Sequence, residues 1–186
     1  LWHFDEVGGQ KAADAGRQRL NGTAGLDTRT EFGRFRSARV FSSSIESWVF
    51  VPFVPGLNTP LFTVEAWIEP TELSNGELSL IAARWTEQPQ EQSWLLALTG
   101  RQLVNAFTDP TPPAYFDRIT FGTSPARLVF VYQRDDASPP QSFSSVSEVF
   151  LNRWTHVAAS IDGEVVRIYL NGVLHAQFAV RGGVRS

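Results

Sequence analysis

One stretch, residues 153–178, constrains the fold most because it alternates strand-forming runs with two tight-turn signals. Its sequence is RWTHVAASIDGEVVRIYLNGVLHAQF. Asn171 and Gly172 form the residue pair that a type I′ hairpin turn favours, since both central residues of that turn need positive φ. Asp162 and Gly163 mark an earlier turn between two β-rich runs. The stretch is therefore predicted to form three successive antiparallel strands.

The simplest pairing of the last two strands predicts an irregularity. With a two-residue turn, Ile168 lies opposite His175 and Tyr169 lies opposite Leu174. Neither face of the hairpin would then be purely apolar. Two explanations follow from this pattern: a central sheet that is covered on both sides, or a β-bulge in the hairpin.

Three separated motifs stand out along the chain. They are the run W-T-H-V-A with the following D-G and I-Y-L-N-G, the segment FTVEAWIEP at residues 62–70, and LWHFDE at residues 1–6. Together they resemble laminin G-like domains of the concanavalin A-like superfamily. The resemblance implies an all-β fold, an antiparallel β-sandwich of the jelly-roll, concanavalin A-like type. A chain of 186 residues suits a single domain of this kind, here residues 1–186.

Further strands are predicted from short β-rich runs that are bounded by turn residues. Residues 108–148 are more irregular and rich in proline, so they are predicted to be loops flanking one strand. Long loops often carry function, which makes this region a candidate for recognition. The predicted strands are residues 1–6, 36–44, 47–54, 62–70, 77–85, 93–100, 102–107 and 126–133.

The resemblance also implies that the sandwich lacks its last strand. Members of the family usually continue past the final hairpin into a closing strand, and only residues 181–186 follow here. The chain is therefore expected to be a piece excised from a longer protein. An incomplete sheet would expose an unpaired edge, predicted at residues 1–6. Another subunit or the rest of the parent chain is expected to fill that edge by strand addition.

Charge and composition argue against several classes of function. The formal net charge is −3, so no global positive field would attract nucleic acid or anionic lipid. The chain contains no cysteine, which excludes disulfides and thiolate chemistry. No apolar run approaches the roughly 20 residues that cross a bilayer, so no membrane span is expected. Arg34, Arg36 and Arg39 could form a basic patch, although a solvated strand or loop face is the favoured interpretation.

The carboxylates do not predict catalysis. Glu65 and Glu69 are the obvious pair for glycoside hydrolysis, but four strand residues place them about 13 Å apart. That separation exceeds the roughly 5–9.5 Å that the two hydrolytic mechanisms require. The three histidines are scattered in sequence and show no zinc-binding spacing. The chain is therefore expected not to be an enzyme.

A structural calcium ion is the metal that the sequence allows. Asp14 and Asn21, with the backbone carbonyls of their loop, supply the oxygen ligands that hard cations prefer. The resemblance also implies that such loops sometimes hold calcium. The competing and favoured interpretation is that aspartate, asparagine and glycine simply form turns here.

Aromatic side chains are the candidates for sugar stacking. Tyr115 is preferred because it lies in a proline-rich loop, and Trp85 and Tyr132 are further candidates. For the tryptophans, packing in the core is the competing interpretation, since aromatic side chains bury large areas.

The predicted function is a non-catalytic module that recognises a glycan or an extracellular protein. It is expected to belong to a larger extracellular or cell-surface protein, as the resemblance implies. Two alternatives stay open: a building block of a surface assembly or filament, and a glycan-degrading enzyme of concanavalin A-like fold. Since fold alone does not define function, only the side chains of a site can separate these alternatives.

Overall fold

The computed structural model describes residues 1–57, 59–73, 78–85, 92–99, 126–134 and 139–185. Contacts divide the chain into two compact units, Leu1–Leu57 and Asn58–Ser186. Among the described residues, no helix has the length and apolar character needed to cross a membrane. The predicted strand at residues 102–107 lies outside the described residues.

The first unit contains short strands. Lys11–Ala12 (β1), Gly22–Ala24 (β2) and Val49–Phe50 (β5) form one antiparallel sheet in the order β1-β2-β5. Arg29–Phe32 (β3) and Ser37–Val40 (β4) form a separate two-stranded hairpin. The chain then makes one 3₁₀ turn at Pro55–Leu57. The predicted strands at 36–44 and 47–54 are therefore present, but they are shorter than expected.

Residues 1–6 do not form the predicted strand. A single bridge joins Trp2 to Asp14, and the neighbouring residues are irregular. Phe4 explains the interruption, because its φ of 58° lies in the left-handed region and ends an extended run. The prediction of an orphaned strand edge at residues 1–6 was therefore wrong.

The second unit contains two four-stranded antiparallel sheets. The strands of the first, which we call the hairpin sheet, are Phe62–Ile68 (β6), Thr155–Ile161 (β11), Val165–Leu170 (β12) and Val173–Ala179 (β13). Those of the second, the facing sheet, are Leu78–Arg84 (β7), Trp94–Thr99 (β8), Arg127–Tyr132 (β9) and Gln141–Glu148 (β10). The hairpin sheet has the order β13-β12-β11-β6, and the facing sheet has the order β10-β9-β8-β7. β10 contacts both β12 and β13 across the interior, so the two sheets form a sandwich.

The core lies between the two sheets and follows from the alternation of side chains along each strand. Alternate residues of β11 and β12 are buried, as the period of two requires, and the residues between them are partly exposed except Ala158, which is also buried. Full burial of one such aliphatic side chain contributes about 1.5–3 kcal/mol. The main core residues are Leu96, Leu98, Leu128, Phe130, Tyr132, Val157, Ala159, Ile161, Val166, Ile168 and Leu170.

β8 and β9 are buried on both faces. Their second face carries a separate apolar cluster of Leu95, Ala97, Val129 and Val131. This accounts for the continuous apolar runs SWLLAL and RLVFVY in the sequence, which show no alternation. Two-sided coverage, which was one of the two explanations offered for the mixed faces of the hairpin, is therefore found in the facing sheet and not in the hairpin itself.

The hairpin sheet instead contains a bulge, as the other explanation predicted. Tyr169 pairs with Leu174, but Ile168 pairs with Ala176, so His175 is the extra residue. Asn171 and Gly172 have φ of 52° and 77°, the positive values that a type I′ turn requires. The bulge allows Ala176 and not His175 to enter the core.

β10 was missed by the sequence analysis, which placed this region in a loop. Residues 141–144 pair with 132–129 of β9, and the register then shifts before Glu148 pairs with Arg127. Ser145 is fully buried within this irregularity, where its hydroxyl accepts the Leu128 N–H and donates to the Ser147 carbonyl. Serine has little β-propensity of its own, so pairing with β9 and the packing of Phe143 on the core determine the strand.

Candidate ligand-binding pocket

A pocket of about 170 Å³ lies at the end of the sandwich where β10 ends and β12 turns into β13. Two chain segments enclose it: residues 147–155, which lead from β10 into β11, and residues 170–175, which include the bulge. Its lining residues are Ser147, Glu148, Phe150, Arg153, Thr155, Leu170, Asn171 and His175.

The connection from β10 to β11 is held in place by backbone hydrogen bonds. The Val149 N–H donates to the Ala126 carbonyl at 2.8 Å, and the Asn152 N–H donates to the Pro70 carbonyl at 2.8 Å. Asn152 has φ of 53°, a value that asparagine tolerates better than most residues and that reverses the chain here. Because these two points are fixed, Phe150 between them is held outward and is 57% exposed.

The other wall is fixed by the side chain of Asn171. The side-chain Oδ1 of Asn171 accepts the backbone N–H of His156 at 3.0 Å. The backbone N–H of Asn171 donates to the His156 carbonyl at 2.8 Å. Asn171 therefore ties the β12–β13 turn to β11. The bulge then places His175 among the residues that line the pocket. Bulges commonly re-aim a side chain at a functional site in this way.

The pocket combines many polar groups with one aromatic surface. Glu148 supplies acceptors, Arg153 supplies a planar set of donors, and His175 supplies ring nitrogens. The phenyl ring of Phe150 lies beside them with most of its surface exposed. The volume is below the roughly 300–1,000 Å³ of pockets for drug-sized ligands. The site therefore suits one small hydroxyl-rich unit better than an extended apolar molecule.

The residues predicted for sugar stacking do not line this pocket. Tyr115 lies outside the described residues. Tyr132 is 0% exposed and stacks with Phe130 and Phe143 at centroid distances of 6.1 and 6.0 Å, so its ring faces are occupied by the core. This placement contradicts its assignment as a ligand contact. Trp85 is half-buried against the second apolar cluster, as the core-packing interpretation expects.

Asp14 and Asn21 are brought together, but as a hydrogen-bonded loop. Asp14 Oδ1 accepts from the Leu1 amino group and the Gly16 N–H, and Oδ2 accepts from the Leu20 N–H. Asn21 Oδ1 accepts the N–H of Asp14 at 3.0 Å.

The geometry of this loop matches turn formation better than calcium coordination, because the three side-chain oxygens already accept N–H groups. In the part of the chain that the structure describes, no group of three His, Cys, Asp or Glu side chains could hold a metal ion. Calcium binding by Asp14 and Asn21 stays an untested prediction.

The pocket could not be recognised from sequence because its two walls are separated along the chain. The signals that were present are indirect: Asn152 and Asn171, which both adopt positive φ, and the misfit of His175 in a regular hairpin. The misfit predicts an irregularity of the strand, but nothing in the sequence connects it with a site.

Comparisons with known proteins agree with this fold. The crystal structure of the binding domain of Paraclostridial Mosquitocidal Protein 1 matches with a TM-score of 0.67 and 16% sequence identity. The match covers 96% of this chain and 41% of that chain, so this chain spans less than half of the matched structure. A comparison with curated proteins finds no match. Residues 43–186 match the laminin G family model of the concanavalin A-like lectin/glucanases superfamily, and the chain therefore belongs to that superfamily.

Proposed function

We propose that this chain is a non-catalytic recognition module that binds a glycan through the pocket at the β12–β13 turn. The observation that carries the proposal is the pocket lining itself, where the polar side chains of Glu148, Arg153 and His175 line the same pocket as the exposed side chain of Phe150. Sugars present hydroxyl groups at their edges and C–H surfaces on their faces. A polar rim beside an aromatic ring complements both features.

The carboxylates of this site support binding over hydrolysis. Glycoside hydrolysis by the common mechanisms needs two carboxyl groups about 5–9.5 Å apart. Among the described residues that line the pocket, Glu148 is the one that carries a carboxylate. Glu65 lies elsewhere, on the solvent side of β6, where its Oε2 is 3.4 Å from His156 Nε2.

The comparisons support a binding role in general terms. The superfamily name includes both lectins and glucanases, and the matched structure is described as a binding domain. A place in a larger extracellular or cell-surface protein is part of the proposal and follows from the laminin G resemblance. Recognition of an extracellular protein is the second candidate, because Phe150 and the adjacent Leu151 are exposed apolar residues on the same connection.

A glycan-binding assay with matched variants tests the proposal. The wild-type chain is screened on a glycan array, and its affinity for any hit is measured by titration. Phe150→Ala and Arg153→Gln should each weaken binding by about tenfold or more, as expected for central contacts of a small site. Leu80→Ala is the control, because Leu80 is 55% exposed, similar to Phe150, but does not line the pocket.

Three outcomes would contradict the proposal. Equal affinities for wild type and Phe150→Ala would remove the pocket as the binding site. Release of reducing ends from any array glycan, abolished by Glu148→Gln, would show that the chain is an enzyme. If no glycan binds and Phe150→Ala instead weakens capture of a protein partner, the second candidate replaces the first.

A further inference from the structure

The hairpin of β3 and β4 ends in a tight turn that places residues 32–36 at its tip. Phe32 pairs with Ser37, and the Gly33 N–H donates to the Arg36 carbonyl at 2.8 Å, which closes the turn. A Cβ on Gly33 would lie 2.5 Å from the Ser37 carbonyl oxygen, so the turn requires glycine at this position. The tip therefore has a defined backbone conformation.

Two phenylalanines of this tip are exposed to an unusual degree. Phe32 is 100% exposed and Phe35 is 75% exposed. Phenylalanine is among the residues that proteins bury most often, and two such side chains within four residues are more than the isolated exposure that surfaces normally show. Neither ring contributes to the core clusters of the chain. Contact with an apolar environment outside the protein therefore explains the exposure of the two rings better than packing within the fold does.

The charge of the hairpin is opposite in sign to that of the whole chain. Residues 29–40 contain four arginines and one glutamate, a net charge of +3, whereas the chain carries −3. Arg29 is paired with Glu31 at 2.6 Å, so the positive charge of the tip itself comes from Arg34 and Arg36. The guanidinium of Arg34 lies 5.4 Å from the ring centroid of Phe35. Arg36 Nη1 is 3.8 Å from Asp5 Oδ2, and such an exposed pair contributes little. The tip therefore presents cationic and aromatic groups together.

Arg39 does not join this surface, although the sequence grouped it with Arg34 and Arg36. Its guanidinium is buried and donates to the carbonyls of Gly9 and Lys11 at 3.0 and 3.4 Å. Arg39 instead connects the base of the hairpin to the backbone of Gly9 and of Lys11, the first residue of β1. The tip thus extends from an anchored base.

We propose that this tip docks on the anionic surface of a lipid bilayer, with both phenyl rings in the interfacial region and Arg34 and Arg36 against the headgroups. Arginine near an anionic leaflet and aromatic side chains at the boundary with the acyl chains are both favourable. Protein interfaces of standard size use about 20–30 residues on each side, far more than this five-residue tip offers. The geometry therefore favours a membrane over an acidic protein. This proposal concerns the first unit and does not rest on glycan binding.

Vesicle flotation with the full chain tests the proposal. One set of vesicles is phosphatidylcholine alone, and the other contains phosphatidylserine in addition. The wild type should float with the anionic vesicles at low salt and progressively less as salt is added. The Phe32→Ala, Phe35→Ala double variant should bind at least tenfold more weakly. The Arg34→Gln, Arg36→Gln variant should lose the preference for phosphatidylserine.

The control is a Leu80→Ala, Val146→Ala variant, which removes two exposed aliphatic side chains of the second unit and should bind as the wild type does. Circular dichroism should show the same melting curve for all variants, since every substituted side chain is exposed. Absence of wild-type flotation at low salt would overturn the proposal. So would equal flotation of the wild type and the double phenylalanine variant. If the wild type instead bound soluble polyglutamate and the Arg34→Gln, Arg36→Gln variant did not, the tip would be a site for an acidic protein and the proposal would also be overturned.

Discussion

Replacing Gly172 by valine should destabilise the second unit through the backbone alone. Gly172 has φ of 77°, and a Cβ built at this position would have no neighbour within 4 Å. Steric clash with the surroundings is therefore excluded as a cause. A β-branched residue held at positive φ costs about 1–3 kcal/mol. Each kcal/mol corresponds to about 2–4 °C in melting temperature for a chain of this size.

Gly8→Val provides a matched control for this substitution. Gly8 also has open space around its Cβ position, but it does not adopt positive φ. Its replacement should change stability by less than about 0.5 kcal/mol. Thermal unfolding followed by circular dichroism gives the comparison. Hydrogen exchange of the β12 and β13 amides then shows whether the loss is located in the hairpin.

One result would show that the turn does not depend on positive φ at Gly172. If Gly172→Val and Gly8→Val had the same melting temperature and the same exchange rates in β12 and β13, positive φ at Gly172 would not be required for the turn. The hairpin would then tolerate a different turn type, and the position of the bulge would no longer follow from the turn. The turn would then no longer account for the position of His175 in the wall of the pocket.

Three further predictions concern neighbouring elements. Asn171→Gly should remove the side-chain hydrogen bond but keep the turn, whereas Asn171→Ala removes the same bond and also holds alanine at positive φ. The glycine variant should therefore have the higher melting temperature, and the reverse order would contradict this explanation. Arg167 and two backbone N–H groups lower the pKa of Asp162 to about 2 from the usual 3.8. The ionised carboxylate therefore stabilises the fold above about pH 4, and the difference in melting temperature between wild type and Asp162→Asn should shrink as the pH falls from 4 to 2. Tyr132→Phe should lose the hydrogen bond to Gln141 at a cost of about 0.5–1.5 kcal/mol, with no change in glycan affinity; weaker binding would return Tyr132 to the site.

Local backbone chemistry made the final hairpin predictable. The φ requirement at Asn171 and Gly172 depends only on these two residues, so it could be read directly. The bulge was one of the two arrangements that the same logic predicted, because a fixed turn determines which residues face each other across the strands. The mismatch between Ile168 and His175 then had to be relieved, and pairing of Ile168 with Ala176 relieves it.

Elements determined by partners elsewhere in the chain were less predictable. β10 exists because it pairs with β9 and buries Phe143, and neither contact is visible in its serine-rich sequence. Residues 1–6 show the opposite error. They alternate as a strand does, but Phe4 adopts positive φ and the chain turns away from extended structure. Alternation of apolar and polar residues shows that a segment is able to form a strand, but contacts with neighbouring segments decide whether it does.

The candidate site was the least predictable part. Its walls come from residues 147–155 and 170–175, and only the fold brings them together. Tyr132 was misassigned because β9 has two buried faces, so an aromatic residue on it could not reach solvent. Phe150 carried no signal of its own, since its exposure depends on the backbone bonds that hold the residues on either side of it.

The extra residue in β13 has an evolutionary consequence. Insertion or deletion of one residue in a strand normally moves every later side chain to the opposite face, which makes it among the most damaging changes a sheet can undergo. Deleting His175 would instead leave the later side chains on their present faces, because Leu174 and Ala176 already pair with the adjacent residues Tyr169 and Ile168. The shortened strand would continue in register with its core unchanged. Descendants of this chain could therefore gain or lose the pocket imidazole by single-codon insertions and deletions, without any need to evolve a new core.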